Sequence, residues 1–474
     1  MVTPEFVLDL MLKLKKQKFE SYLVGGCVRD LLMGRTPKDW DITTNARPEE
    51  MLKVFPGSKY ENDFGTVLVP IHNDNNDVVE ITTYRSEQGY SDRRHPDIVL
   101  FETQLDRDLE RRDFTINALA MDEKGVITDL FGGQKDIKQK IIRAVGEPSE
   151  RFKEDALRMM RAIRFACQLK FELEPKTERG IAKLAGGLKF VSGERIRDEL
   201  VKILQSDTPA EGFMSLHDNK LLQYILPELE QGVEVKQHYH HIYPVFKHNI
   251  LSLKYCPSDI WQVKLAALLH DVGKPKSFKL IEGHPTFYNH QYIGAKMTEK
   301  IMRRLKFSTE DSLRVVNLVK NHMFYYNVGE VSAASVRRLI VKTGRENLRD
   351  LIDIRIADRL GSGLKNGIPY KLRHLQYMLE KVQHDPVSVK MLKINGTDLM
   401  ELLKIKPSPK IGAILDVLLS EVVEDPKLNT KKHLEERIVE LNKLNLEELR
   451  ERAKEVIIEK RIEEDRELKK TFGV

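Results

Sequence analysis

The sequence predicts an α+β fold: a small mixed sheet near the N-terminus, followed by a chain that is otherwise largely α-helical. Three observations carry this expectation. In the first 140 or so residues, short apolar runs are spaced around helical stretches. After Gly146-Glu147-Pro148, apolar residues recur at intervals of three and four. Breakers such as Pro227 and the segment 361–369 divide that helical remainder into blocks. The chain has 474 residues, and about 150 residues per domain suggests roughly three domains. Hydrophobic residues make up 41% and charged residues 32%, which excludes a disordered or fibrous chain.

Taken in order, residues 1–20 read as an amphipathic helix, with Phe6, Leu10 and Leu14 four apart. Tyr22–Val24 reads as a strand, Gly25-Gly26 as a turn and Val28–Met33 as the opening of a helix. The segment 39–44, DWDITT, alternates as a strand does, and 66–72, 77–85 and 124–133 are further strand-like runs. From Ser149 to about Leu229 the apolar positions Phe152, Ala156, Met159, Met160, Ile163, Ile196, Leu200 and Ile203 mark a helical block. The stretch 230–244 forms a boundary, and its histidines at 238, 240 and 241 read as linker residues. Residues 245–363 are again helical and rich in histidine. Segment 361–369 reads as a hinge. A last helical region follows and ends in a Lys/Glu-dense tail, in which Leu434, Ile438 and Leu441 form a narrow apolar stripe that reads as a solvated helix packed on its neighbour.

Cys27, Cys167 and Cys256 lie far apart, which fits a reducing cytoplasm and argues against a disulfide framework or a thiolate zinc site. No apolar run reaches the roughly 18 residues of a membrane helix, and the N-terminus lacks a signal-peptide core. The net charge of +6 is compatible with a polyanionic partner.

Three clusters carry chemistry. In GGCVRDLLMGRTPKDWDITT, Gly25 and Gly26 let backbone N–H groups turn toward an anion at a helix start, and Arg29 sits one turn in. Asp39 and Asp41 flank Trp40; on a strand, period two puts both carboxylates on one face, a seat for Mg²⁺. In LERRDFTINALAMD, Arg111, Arg112 and Asp113 are expected to open an apolar helix, with Asn117 one turn on. Adjacent arginines oppose the dipole at a helix start, so they suit a triphosphate or sugar there, or else form a charged cap. In RFKEDALRMMRAIRF, Asp155, Arg158, Arg161 and Arg164 are expected to line one helix. An Asp that accepts beside an Arg that donates can read the Watson–Crick edge shared by cytosine and adenine, or can be a plain intrahelical salt bridge. The third cluster is dispersed: His248, the adjacent pair His270-Asp271, His290, His322 and Asp358. An adjacent His and Asp form a mixed N/O ligand pair for a divalent metal.

On these residues the chain resembles the nucleotidyltransferase superfamily that includes DNA polymerase β, and within it the bacterial CCA-adding enzymes, which stand beside the bacterial poly(A) polymerases. The resemblance covers nearly the whole chain. It implies a nucleotidyltransferase head at 1–145, a base-selecting, RNA-binding helical neck at 146–230, an HD phosphohydrolase-like domain at 231–365 and a helical tRNA-binding region at 366–474. It implies catalytic Asp39 and Asp41 holding Mg²⁺, with Glu80 as a third acid. Gly26, Arg29, Arg111, Arg112, Asp113 and Asn117 are the implied ribose and phosphate contacts. Glu154 would position Asp155 and Arg158, which read the base, while Arg161 and Arg164 help hold the nucleotide. Glu194, Arg195 and Glu199 would brace the helices. Segment 85–109 is expected to be the mobile loop of enzymes that add the terminal A.

His248, His270, Asp271 and Asp358 match the ligands of the HD phosphohydrolases, and His290 and His322 the extra histidines of members with a second metal; the metal's identity stays open. The implied activity is template-independent addition of CCA, or its terminal A, to the tRNA 3′ acceptor end from CTP and ATP in the cytoplasm. The HD domain would be a phosphatase or 2′,3′-cyclic phosphodiesterase. No membrane and no obligate protein partner are implied. A poly(A) polymerase and a metal-dependent phosphohydrolase with an RNA-anchoring head remain as alternatives.

Overall fold

A computed structural model describes residues 3–62, 64–71, 78–89, 98–237, 242–324, 332–363, 370–382 and 384–453. The histidines at 238–241, most of the expected hinge at 361–369 and the charged tail beyond 453 lie outside these residues.

The N-terminal third runs α1 (Glu5–Lys16), β1 (Ser21–Val24), α2 (Gly26–Leu32), β2 (Asp41–Thr44), α3 (Pro48–Val54), β3 (Lys59–Asn62), β4 (Thr66–Pro70), β5 (Val78–Thr83), β6 (Arg85–Gln88), β7 (Ile98–Phe101), α4 (Leu105–Glu110), β8 (Leu119–Met121), β9 (Ile127–Asp129) and α5 (Gly133–Gln139). Seven strands form one mixed sheet in the order β3-β4-β5-β2-β1-β8-β9. Only the β2–β5 pair is parallel, which sets Asp41 beside Glu80. Helices α1 and α3 cover the sheet through Val7, Leu14 and Met51 packed with Leu23, Ile42 and Ile81. Helix α1 forms where apolar residues recur every three or four, with Glu5 in its first turn and lysines in its last, as the helix dipole favours.

The rest is helical, as expected. It comprises β10 (Ile141–Ile142), α6 (Pro148–Glu154), α7 (Leu157–Leu169), β11 (Glu172–Leu173), α8 (Pro175–Leu184), α9 (Gly193–Leu204), α10 (Pro209–Asp218), α11 (Leu222–Ile225), α12 (Pro227–Glu230), α13 (Val245–Lys254), α14 (Trp261–Leu269) and α15 (Lys274–Ser277). A short hairpin, β12 (Lys279–Ile281) and β13 (His284–Thr286), precedes α16 (His290–Arg304), α17 (Thr309–Asn321), α18 (Ala333–Thr343), α19 (Arg345–Gly361), α20 (Tyr370–Lys381), α21 (Gly396–Leu403), α22 (Pro409–Glu424) and α23 (Lys431–Leu441). No described helix is long and apolar enough to cross a membrane.

Buried side chains from Phe114 to Val387 form one continuous cluster, so the core runs across residue 230 without a break. Helix α9 is its pivot. On one side it touches α7; on the other, Gly193 lies so close to the end of α16 that an added Cβ would stand 2.5 Å from the Arg304 carbonyl. A separate cluster, containing Leu399, Val417, Leu434 and Ile438, organises the C-terminal helices. The stripe read as a solvated helix packed on its neighbour is thus fully buried at Leu434, Ile438 and Leu441.

Segment 85–109 differs from the expected loop. Among its described residues it contains the antiparallel ribbon β6–β7 and helix α4. Buried Leu105 and Leu109 pack under Tyr84 and supply the core contacts the loop reading did not foresee.

Six lysines adopt left-handed backbone conformations with φ between 54° and 67°: Lys18, Lys140, Lys170, Lys220, Lys306 and Lys404. Each follows the end of a helix, a place where glycine is the usual residue.

The shared core makes one prediction. Hydrogen exchange should show amides of α7, α9, α14 and α19 opening together, at one free energy. Separate opening of the 157–204 and 245–361 helices would contradict it.

Candidate active site and metal centre

Gly25 has φ of +80°, and a Cβ there would stand 3.0 Å from Arg112 Nη1 and 3.9 Å from Asp41 Oδ2. Only glycine suits both the backbone angle and the close approach. The turn therefore brings the first-turn amides of α2, the Arg112 guanidinium and the Asp41 carboxylate to one spot. Gly26 is already the first residue of α2, and the Arg29 side chain lies along it.

Asp41 opens β2, but Asp39 lies in a bend just before it rather than on the strand. The chain leaves the strand geometry between 38 and 40, so alternation on one strand does not place the pair. They still feel one another. Burial pushes the Asp41 carboxyl above the ordinary carboxylate range; nearby Arg112 opposes this and Asp39 adds to it. Glu80 is raised by partial burial and then by Asp41, Glu61 and Asp39. Mutually repelling carboxylates beside an anion cradle are a donor set for a hard divalent cation such as Mg²⁺.

The expected helix start at Arg111 is instead a helix end. Both arginines follow α4, with Arg111 as its C-cap, and the chain then forms a 3-10 turn at Thr115–Asn117. Cations at a helix C-terminus are favoured by the dipole, so this arrangement removes the conflict in the sequence reading. Asp108, which sequence reasoning missed, is fully buried and holds both: Arg111 Nη2 donates at 2.6 Å and Arg112 Nη2 at 3.1 Å. Burial works against its charge, yet the two guanidiniums hold the carboxyl down at about 2. Its spacing of three and four before the arginines was the available signal.

Asp113 is the next hub. Its Oδ2 accepts from Arg161 Nε at 2.8 Å and Nη2 at 2.6 Å; its Oδ1 accepts from the Asn117 amide at 3.1 Å. Asn117 Oδ1 in turn accepts from Arg29 Nη1 at 2.8 Å. Burial opposes the Asp113 charge, but Arg161 and Asn117 outweigh it and hold the carboxyl at about 2.

The segment Glu154–Arg164 is not one helix. Asp155 has extended angles, φ −139° and ψ 106°, and breaks the chain between α6 and α7. Its Oδ1 caps Leu157 N–H at 3.0 Å, and Arg195 from α9 grips both oxygens, at 3.2 and 2.7 Å. Arg158 donates to Glu154 at 2.5 Å and to the Arg111 carbonyl at 3.2 Å. Arg164 pairs with Glu199 at 3.0 Å. Glu154, Arg195 and Glu199 thus brace this cluster, while no described hydrogen bond or ion pair joins Glu194 to it. Arg29, Arg161 and Arg164 all lie over the Phe165 ring, within 5.4 Å of its centroid.

The third cluster converges. His248 of α13, His270 and Asp271 after α14, His290 opening α16, His322 capping α17 and Asp358 of α19 come together in the interior. His248 and His270 present their Nε2 atoms to Asp271 Oδ2, each at 3.2 Å, and to Asp358 Oδ1 at 3.3 and 3.8 Å. His290 and His322 present theirs to the other oxygen, Oδ1, at 3.2 and 3.8 Å. The two Nε2 pairs stand only 3.1 and 3.3 Å apart. The Nδ1 atoms of His270, His290 and His322 face the carbonyls of Ala267, Phe287 and Val319 at 2.7 to 2.8 Å, which turns their Nε2 atoms inward. Burial drives the His322 ring down to about 3, keeping it a neutral ligand. Gly273 permits the convergence: a Cβ there would meet the His290 carbonyl at 2.2 Å. Among the described residues, His248/His270/Asp271 and Asp271/His290/His322 form two groups with ligand atoms within 4.8 Å. The head carboxylates form no such tight group.

Two predictions follow from this geometry. Because folding raises the Asp41 carboxyl, its ionisation weighs against the folded state as pH rises above the ordinary carboxylate value. Asp41→Asn should therefore leave the metal-free protein at least as stable at neutral pH in thermal melts, while abolishing nucleotide transfer. Calorimetric titration with Mn²⁺ should find two equivalents bound in the histidine cluster. Asp271→Asn should weaken both by about tenfold or more, and His322→Gln one only.

Family signatures match along the chain: the Poly A polymerase head domain at residues 21–143, a probable RNA and SrmB-binding site of polymerase A at 170–232, and a tRNA nucleotidyltransferase domain 2 at 288–438. A CCA-adding enzyme of Ligilactobacillus salivarius is 35% identical over 91% of this chain and 97% of its own. An A-adding tRNA nucleotidyltransferase of Deinococcus radiodurans is 33% identical over 84% and 90%. Among solved structures, the Bacillus stearothermophilus CCA-adding enzyme in complex with CTP aligns with a TM-score of 0.67 and 27% identity, covering 93% of this chain and 98% of that one. The chain belongs to the CCA-adding enzyme family of class II tRNA nucleotidyltransferases.

Proposed function

We propose that this tRNA nucleotidyltransferase adds CCA, or its terminal A, to the tRNA 3′ end from CTP and ATP, releasing pyrophosphate, in the cytoplasm. The observation that carries the reading is the hydrogen-bond chain Arg29–Asn117–Asp113–Arg161, which ties the anion cradle to the helix carrying the base-reading residues. The first-turn amides of α2, Arg29 and Arg112 bind the triphosphate. Asp39 and Asp41, with Glu80 beside them, would hold Mg²⁺, which supplies positive charge where the 3′-hydroxyl meets the α-phosphate. Asp155 and Arg158 meet the base edge. Asp155 Oδ1 is occupied by the Leu157 N–H and Arg195, but Oδ2 keeps a second lone pair beyond its bond to Arg195, and Arg158 keeps donors beyond its bonds to Glu154 and Arg111. Held from behind in this way, the pair accepts the exocyclic amine and donates to the ring nitrogen of cytosine or adenine, and refuses uracil and guanine. Arg111, Arg161 and Arg164 fix the backbone around this edge.

The histidine cluster serves as a separate HD-type centre for phosphoryl groups at RNA ends. His248, His270 and Asp358 would take one divalent metal, His290 and His322 the other, with Asp271 between them. The donor set of neutral imidazoles and carboxylates fits a transition metal. In domain terms the head spans 1–145, the neck 146–230, the metal-binding domain 231–365 and a tRNA-docking region 366–474; the separate cores of the sheet and of the C-terminal helices support a distinct head and a distinct C-terminal unit, although Leu372, Leu375, Met378, Val382 and Val387 pack into the central core and the C-terminal core starts at Leu392.

The decisive experiment incubates the protein with tRNA lacking its 3′ end, with CTP and ATP separately and together, and sequences the products. CCA or a single A supports the proposal; a homopolymer of A from either primer points to poly(A) synthesis. Asp155→Ala should reduce discrimination of CTP over UTP by about five- to a hundredfold, from the ~1–3 kcal/mol of a bidentate base contact. Hydrolysis of a 2′,3′-cyclic phosphate should survive Asp39→Ala and vanish with Asp271→Ala.

A further inference from the structure

Helix α20 packs Leu372, Leu375, Met378 and Val382 inward. Its opposite face carries Tyr370, His374 and Tyr377, at i, i+4 and i+7. Their rings form a ladder, with centroids 5.9 and 5.8 Å apart. Tyr370 is 62% exposed and Tyr377 56%. Lys381 continues the same face one turn on, and exposed Arg373 flanks it. The face carries no Leu, Ile, Val or Met, so it is not an aliphatic patch of the kind that packs against another protein. Exposed tyrosine rings, beside cations that follow a phosphate backbone, suit unpaired nucleobases; a duplex hides base faces within its own stack.

We infer that this face of α20 is a stacking platform for unpaired loop bases of the RNA substrate, away from the 3′ end. The inference rests on the reading that the substrate is tRNA. It assigns the C-terminal half a contact made through bases, in addition to attraction between lysines and phosphates.

The test measures binding of the full-length protein to a tRNA transcript lacking its last three nucleotides, and to a two-stranded acceptor-stem duplex with the same 3′ end. The double variant Tyr370→Ala/Tyr377→Ala should lose tenfold or more in affinity for the tRNA, since each base stack contributes about five- to a hundredfold. It should bind the duplex, and extend it at saturation, as the native protein does; this also shows that the fold is intact. The double Tyr→Phe variant should bind tRNA normally and the double Tyr→Leu variant should not, because stacking needs the ring and not the hydroxyl. Lys381→Gln should flatten the salt dependence, whereas the tyrosine variants should not. Unchanged tRNA affinity, equal losses on both RNAs, full binding by the leucine variant, or a change only in sedimentation behaviour would each overturn the inference. Failure of the native protein to bind tRNA would instead sink the substrate reading itself.

Discussion

One buried carboxylate sets the geometry of the candidate active site. Asp113 lies between the sheet and the neck, and its charge is tolerable only because Arg161 and Asn117 meet it there. A buried ion pair adds little net stability, but losing one partner strands the other at about 3–5 kcal/mol. Asp113 therefore acts as a ruler. Through Asn117 and Arg29 it fixes the glycine turn, and through Arg161 it fixes α7. Asp108 does the same for Arg111 and Arg112 from below. The distance between the glycine turn and the Asp155–Arg158 edge is set by these pairs, not by apolar packing alone.

The histidine centre follows a different logic. Its side chains come from α13, α16 and α19 and from the ends of α14 and α17, and Nε2 atoms are held within 3.3 Å of one another. The surrounding core holds this crowding in place, and Asp271 and Asp358 raise the His248 ring to about 9 against its burial. The close approach at Gly273 joins the turn that carries Asp271 to the start of α16. Lys274 adds a positive charge 2.6 Å from Asp271 Oδ2, so the central carboxylate is balanced by the protein itself.

Much of this was legible in the residues. Period two revealed most strands of the head, and the change of period after Gly146 marked the start of the helical remainder. The dispersed histidines were found as a set through their resemblance to the HD phosphohydrolases. What escaped was local chain direction. Arg111 and Arg112 read as a helix start because the apolar residues after them look helical, yet Phe114, Ile116 and Leu119 enter the core from a 3-10 turn and a strand. Likewise, the spacing of Asp155 and Arg158 suits a continuous helix, but Asp155 instead caps the Leu157 N–H and is gripped by Arg195 from α9. Asp108 lay inside a stretch read as loop, so its spacing to the arginines went unused.

The left-handed lysines at helix ends have a consequence of their own. A side chain in that conformation strains the backbone by about 1–2 kcal/mol relative to glycine, and six positions together are a considerable load against a typical margin of about 5–15 kcal/mol. In exchange, each places an exposed cation just past a helix C-terminus, where the macrodipole welcomes it. Glycine at any of these six positions would relax the backbone and remove one exposed positive charge, so conformational ease and surface charge are traded against each other at the same residues.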